Sequence, residues 1–152
     1  MYEDCLKAAY AYVDQHAERA LQLLERFAAQ PSISAQKLGL NEMAELVRQA
    51  MEEYGVPARI LPTKGGPPVV YGEVRGKSDK TILFYNHYDV QPVDPLELWE
   101  TPPFEPTRRD GKLFARGVAD DKHDIVIRLE AVRAWRETCG ELPCTVKFIF
   151  EG

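Results

Sequence analysis

No stretch of this sequence is apolar for long enough to span a bilayer. The N-terminus, Met1-Tyr2-Glu3-Asp4-Cys5-Leu6-Lys7, lacks a basic flank followed by an apolar core, so it does not read as a secretory leader. Clusters of Lys and Arg are missing as well. With 19 basic against 24 acidic residues the net charge is −5, which argues against nucleic acid or an anionic membrane as partner. These absences point to a cytoplasmic protein. Cysteine is scarce: Cys5, Cys139 and Cys144 make an odd number with no Cys-x-x-Cys spacing. Free thiols are expected, with a Cys139–Cys144 bridge across the Gly140-Glu141-Leu142-Pro143 turn as the lesser alternative. No internal repeat, low-complexity tract or glycine-rich phosphate loop occurs.

What is present is the composition of a folded domain. Of the 152 residues, 45% are hydrophobic and 28% charged, which excludes disorder and allows one sizeable core. Val13, Ala17, Ala20, Leu21, Leu24 and Phe27 recur at helical steps, predicting a helix over about residues 2–29 that Pro31 stops. A second helix is expected over about residues 36–54, with Gly55 and Pro57 ending it. Short strands follow at residues 58–61, 69–74 and 81–85. The third is apolar on both faces, which suits a central strand covered on both sides. Five prolines keep residues 90–106 as loop. Arg109-Asp110-Gly111-Lys112 reads as a hairpin turn. A helix over about residues 121–137 and a strand over 145–150 complete the chain. The order predicts an α/β fold, an α/β/α sandwich around a mixed sheet.

The chemistry gathers in two stretches. In Tyr85-Asn86-His87-Tyr88-Asp89, His87 and Asp89 lie two apart on an extended segment and leave the same face. Asp89 can then hold one imidazole nitrogen of His87 and leave the other as a metal ligand. The bland alternative is a polar strand end with a solvated histidine. In Arg116-Gly117-Val118-Ala119-Asp120-Asp121-Lys122, two carboxylates open a helix. They read either as an N-cap with a first-turn acid, or as one carboxylate bridging two cations with the other behind it. His16 is expected to be solvated. His123 either approaches the site or is exposed in the first turn. Glu42/Glu45 and Glu52/Glu53 read as solvated helix faces, and Tyr88, Trp99 and Phe104 as packing residues.

Three segments together are specific. Asn86-His87-Tyr88-Asp89-Val90-Gln91-Pro92, Trp99-Glu100-Thr101-Pro102-Pro103-Phe104-Glu105-Pro106 and Ala115-Arg116-Gly117-Val118-Ala119-Asp120-Asp121-Lys122 resemble the zinc exopeptidase family of aminoacylase, succinyl-diaminopimelate desuccinylase, glutamate carboxypeptidase and carnosinase-like dipeptidases. Pro31-Ser32-Ile33-Ser34 is similar to the family too, and the resemblance covers about residues 23–152. It implies that His87 ligates one zinc, that Asp89 orients His87, that Asp120 bridges two zincs, and that the Asp120–Asp121 peptide is cis. Two positions depart from the pattern. Ala115 stands where the family usually has Gly, and His123 where it usually has Gly after the Lys.

The resemblance further implies that residues 1–152 are the N-terminal portion of a catalytic domain. The family's glutamate pair, its later acidic and histidine ligands and its lid domain are not among them, and Glu151 is not assigned the role of base. The expected activity of a full-length protein is hydrolysis of a dipeptide or N-acyl amino acid by a water held between two zinc ions, with manganese or cobalt as possible substitutes. The expected partners are a small peptide or N-acyl amino acid, and a second copy in a homodimer. The fragment alone is expected to be inactive. Two rival readings are a truncated, non-catalytic binding module that pairs through an exposed final strand, and a magnesium-dependent phosphate-handling protein using Asp89, Asp120 and Asp121.

Overall fold

The computed structural model describes residues 2–152. Helix α1 is Tyr2–Ala29 and α2 is Leu40–Glu53, joined by a single 3-10 turn, Ser34–Gln36. Strands β1 (Ala58–Leu61), β2 (Val69–Val74) and β3 (Thr81–His87) follow. A small hairpin, β4 (Thr107–Arg109) and β5 (Lys112–Phe114), turns on Asp110 and Gly111. Both have positive φ, as an Asp-Gly turn of this kind requires. Helix α3 is His123–Cys139, and β6 is Thr145–Glu151. Glu42, Glu52 and Glu53 on α2 are exposed as expected, and Arg48 bridges Glu45 and Glu52.

The sheet order is β1-β2-β6-β3. β2 is antiparallel to β1 and β6, while β3 runs parallel to β6 with α3 as the crossover, so the sheet is mixed as expected. Strand alternation sorts the side chains. Val70, Val146, Phe148 and Phe150 share one face and are buried against the helices. Met43, Val47, Ala50 and Met51 cover them from α2, and Ile125, Leu129 and Val132 from α3; Phe27 comes from the end of α1. Each such side chain contributes about 1.5–3 kcal/mol by leaving water. On the opposite face Tyr71, Glu73, Lys147 and Ile149 are half-buried, and Leu83 and Tyr85 are exposed. Of the sandwich, the described residues thus hold the sheet and one helical layer.

The two strand placements drawn from local pattern are reversed. β3 is an edge strand, with Ile82, Leu83 and Tyr85 at 46%, 55% and 56% exposure. Its apolar residues fit a covered position, but only β6 pairs with it among the described residues. β6 is paired on both sides, so the final strand has no free edge for a partner.

The cysteines are also corrected. Cys5 and Cys139 are joined by a disulfide with their Cα atoms 5.6 Å apart, and Cys144 is free. The start of α1 packs beside the end of α3, which brings together residues 134 apart in sequence. A local spacing rule has no access to that proximity. His16, expected in solvent, is half-buried; its Nδ1 lies 2.7 Å from the Tyr12 carbonyl and its ring stacks on Tyr12. A thiol assay on the denatured, unreduced chain should therefore find one reactive cysteine, and three after reduction. Reduction should lower stability by about 3–5 kcal/mol in urea titration, as expected for opening so long a loop. Three thiols before reduction would refute the pairing.

Candidate metal centre

The parallel β3–β6 pair ends with His87 opposite Glu151. Functional side chains at strand ends are favoured because the loops beyond them are free of ladder bonds. Here β3 delivers His87, and the next two residues deliver Asp89. His87 Nδ1 lies 3.0 Å from Asp89 Oδ1 and 3.2 Å from the Asp89 carbonyl. Nε2 lies 3.1 Å from Asp120 Oδ1. His87, Asp89 and Asp120, the three residues singled out from the sequence, therefore stand in one line of contacts. They share the wall of a cleft of about 280 Å³ with Tyr85 and Glu151, whose carboxylate accepts a hydrogen bond from the Tyr85 hydroxyl.

The opposing wall is built by the turn Val118–Lys122. Asp120 there is extended (φ −148°, ψ 97°), and its carboxylate is 78% exposed. The Asp120–Asp121 peptide is cis, as the family resemblance implied. Asp121 faces the other way. Its Oδ2 accepts from the Asn86 amide at 2.9 Å and from the His87 backbone N–H at 3.3 Å. Burial opposes the charge on Asp121, but those donors outweigh it and hold its carboxyl below the usual range. Contact with Asp121 pushes Asp124 the opposite way. His123 turns towards these two acids, with Nε2 3.8 Å from Asp124 Oδ1. Asp121, His123 and Asp124 offer ligand atoms within 4.8 Å of one another.

Gly117 makes the turn possible. It has φ 87°, and a Cβ there would lie 2.7 Å from Val90 Cγ1. Arg116 fixes the loop on the far side. It donates to the Pro92 carbonyl at 3.0 Å and covers the Trp99 ring. Tyr88 is fully buried and donates to the Pro68 carbonyl, so it is a packing residue as expected.

A family model described as peptidase family M20/M25/M40 matches residues 83–152. The human Beta-Ala-His dipeptidase is 32% identical over 97% of this chain and 32% of its own length. The Schizosaccharomyces pombe Cys-Gly metallodipeptidase dug1 is 30% identical over 97% of this chain and 34% of its own length. The crystal structure of an M20 family metallo-carboxypeptidase from Sulfolobus solfataricus superposes with a TM-score of 0.83. It is 41% identical, covering 88% of this chain and 30% of that one.

The chain resembles the M20 peptidases.

It matches the N-terminal part of M20 structures and spans about a third of the length of the curated relatives it matches. The M20 resemblance implies metal ions, and the donor set here fits one. With Nδ1 donating to Asp89, the Nε2 lone pair of His87 faces Asp120 Oδ1 at 3.1 Å. Two electron-rich atoms so placed repel each other unless a proton or a cation lies between them. A tetrahedral ion with bonds of about 2.1 Å keeps its ligand atoms about 3.4 Å apart, so small shifts let both atoms share one. The carboxylates act on the ring in the same sense. Partial burial disfavours imidazolium, but the Asp89 carbonyl and the charges of Asp89, Asp121 and Asp120 outweigh it and raise the His87 pKa.

Sequence reasoning missed three supports. Asn86 holds Asp121, Ser34 donates to Asp89 Oδ2, and Lys122 holds the end of α1. Lys122 is fully buried, and burial pushes its pKa down to about 7. Its Nζ donates to the carbonyls of Phe27 at 2.8 Å and Gln30 at 2.7 Å. Lys122→Ala should cost about 3 kcal/mol or more in urea denaturation, because it strips the lysine's bonds from the Phe27 and Gln30 carbonyls and opens a cavity. A loss under about 1 kcal/mol would remove this lysine from any supporting role.

Proposed function

We propose that this chain supplies the first half of a metallohydrolase site acting on the amide bond of a dipeptide or N-acyl amino acid. The observation that carries this reading is the Asp89–His87–Asp120 line, in which one imidazole nitrogen is held and the other faces a carboxylate at 3.1 Å. The names of the relatives agree with a dipeptide substrate.

Each residue has a role that follows from its contacts. Asp89 holds the proton on Nδ1, which leaves Nε2 neutral and basic. Asp120 presents a carboxylate that is 78% exposed at the cleft, so it can serve two cations. Asp121, bound to Asn86 and to backbone, holds the turn rather than the ion. Imidazole and carboxylate donors suit zinc better than magnesium. When bound, zinc ions would polarise the scissile carbonyl and lower the pKa of a water. Glu151 is engaged by Tyr85, so the base is not assigned to it. The site as described offers too few ligands to close the shells of two zincs, each needing about four.

The isolated chain should therefore not hydrolyse β-Ala-His or Cys-Gly in added zinc above the background of a His87→Ala control. Calorimetric titration should show no tight two-zinc stoichiometry. Turnover that disappears with His87, or tight binding of two zincs, would overturn the half-site reading.

A further inference from the structure

The hydroxyl of Ser34 reaches the one residue that decides how His87 is presented. The strand segment ending in Asp89 is met by the linker between α1 and α2. Ser32 Oγ donates to the Tyr88 carbonyl at 2.7 Å, and the Val90 N–H donates to the Ser32 carbonyl at 2.8 Å. Ile33 forms a parallel bridge with Val90 and closes back on Leu38 through bonds of 2.9 and 3.1 Å. Ser32 and Ile33 are buried, so the register between linker and strand end is fixed on both sides. That register places Ser34, the first residue of the 3-10 turn, beside Asp89. Its hydroxyl donates to Asp89 Oδ2, while Oδ1 takes His87 Nδ1 at 3.0 Å.

We propose that Ser34 is a positioning residue for His87: by holding the second oxygen of Asp89, it fixes the carboxylate plane and, through it, the imidazole tautomer that leaves Nε2 for a metal ion. The inference rests on the metallohydrolase reading for its purpose but not for its geometry. The terminal torsion of an aspartate is broad and close to two-fold, so a carboxylate tied at one oxygen can rotate. Tied at both, it presents one oxygen in the imidazole plane. The hydroxyl also draws electron density from Asp89 and so keeps the shared proton on Nδ1. Removing a partner of this kind typically weakens metal affinity about 10–100-fold.

The test uses the metal-free, ¹⁵N-labelled chain at about pH 9, above the ordinary imidazole range. Long-range ¹H–¹⁵N correlation reads the two ring nitrogens of each histidine. In the parent chain His87 should show a protonated Nδ1 and a bare Nε2. In Ser34→Ala the two shifts should move towards each other as tautomers mix, while His16 and His123 stay where they were. Ser34→Thr, which keeps the hydroxyl, should restore the parent pattern. Unchanged His87 shifts in Ser34→Ala would overturn the proposal, as would changes spread over all three histidines or a failure of Thr to rescue. A zinc competition titration on the same three proteins then separates the two readings. Weaker zinc binding in Ser34→Ala, about 10-fold or more, supports both. Tautomer mixing in Ser34→Ala with equal zinc affinity in all three proteins leaves the positioning role standing and removes its link to the metal.

Discussion

A buried ammonium group sets the arrangement on which the site depends. Lys122 is wholly out of water, and a lone charge there would be costly. It is tolerated because the carbonyls at the end of α1 have free acceptor capacity and carry the negative end of the helix dipole. The contacts to Phe27 and Gln30 satisfy both sides at once. The geometric effect is larger than the local one. Lys122 closes the turn Val118–Lys122 through its own N–H to the Gly117 carbonyl at 3.1 Å, and it anchors that turn to Phe27 of α1, 95 residues earlier. Asp120 therefore cannot drift relative to the frame that carries His87.

The opposite side of the site depends on the sheet. A parallel pair has evenly spaced bonds, so β6 fixes the height of β3 residue by residue up to His87. The linker after α1 then adds a short third rail beside residues 88–90, bonded through Ser32 and Val90. Lys122 grips the end of α1, and the same end leads straight into that rail. One helix terminus thus aligns both carboxylates with the imidazole between them. The larger cavity at the other end of the sheet, about 530 Å³, has a different character. Its Arg133 and Arg136 donate to the carbonyls of Glu53 and Gly55, and so serve to finish α2.

Much of this was legible from residues alone, for physical reasons that also mark where legibility ends. Helical periodicity located α1 closely, because its stripe and the Pro31 stop are local signals. His87, Asp89 and Asp120 stood out through the resemblance of their motifs to a family, and the fold brings the three into contact. Lys122 was quoted with its motif but given no task, since its partners are backbone carbonyls, which carry no sequence signature. Ser34 was hidden for a related reason. Its acceptor lies 55 residues away, and a serine after a helix reads first as a turn residue. The central placement of β3 is not met among the described residues, because an apolar run reports that a strand prefers cover, not which neighbours are at hand. The Cys5–Cys139 pair failed because proximity across 134 residues follows from helix packing.

His123 places a side chain where the resemblance implies glycine. It turns along α3 towards Asp124 and Asp121. Two carboxylates in contact there repel, and the raised pKa of Asp124 reflects it. Asp121 stays bound to Asn86, and that bond keeps the turn closed under Asp120. The side chain at His123 therefore bears on the acids that support the cradle, while the donor atoms His87 Nε2 and Asp120 Oδ1 face each other.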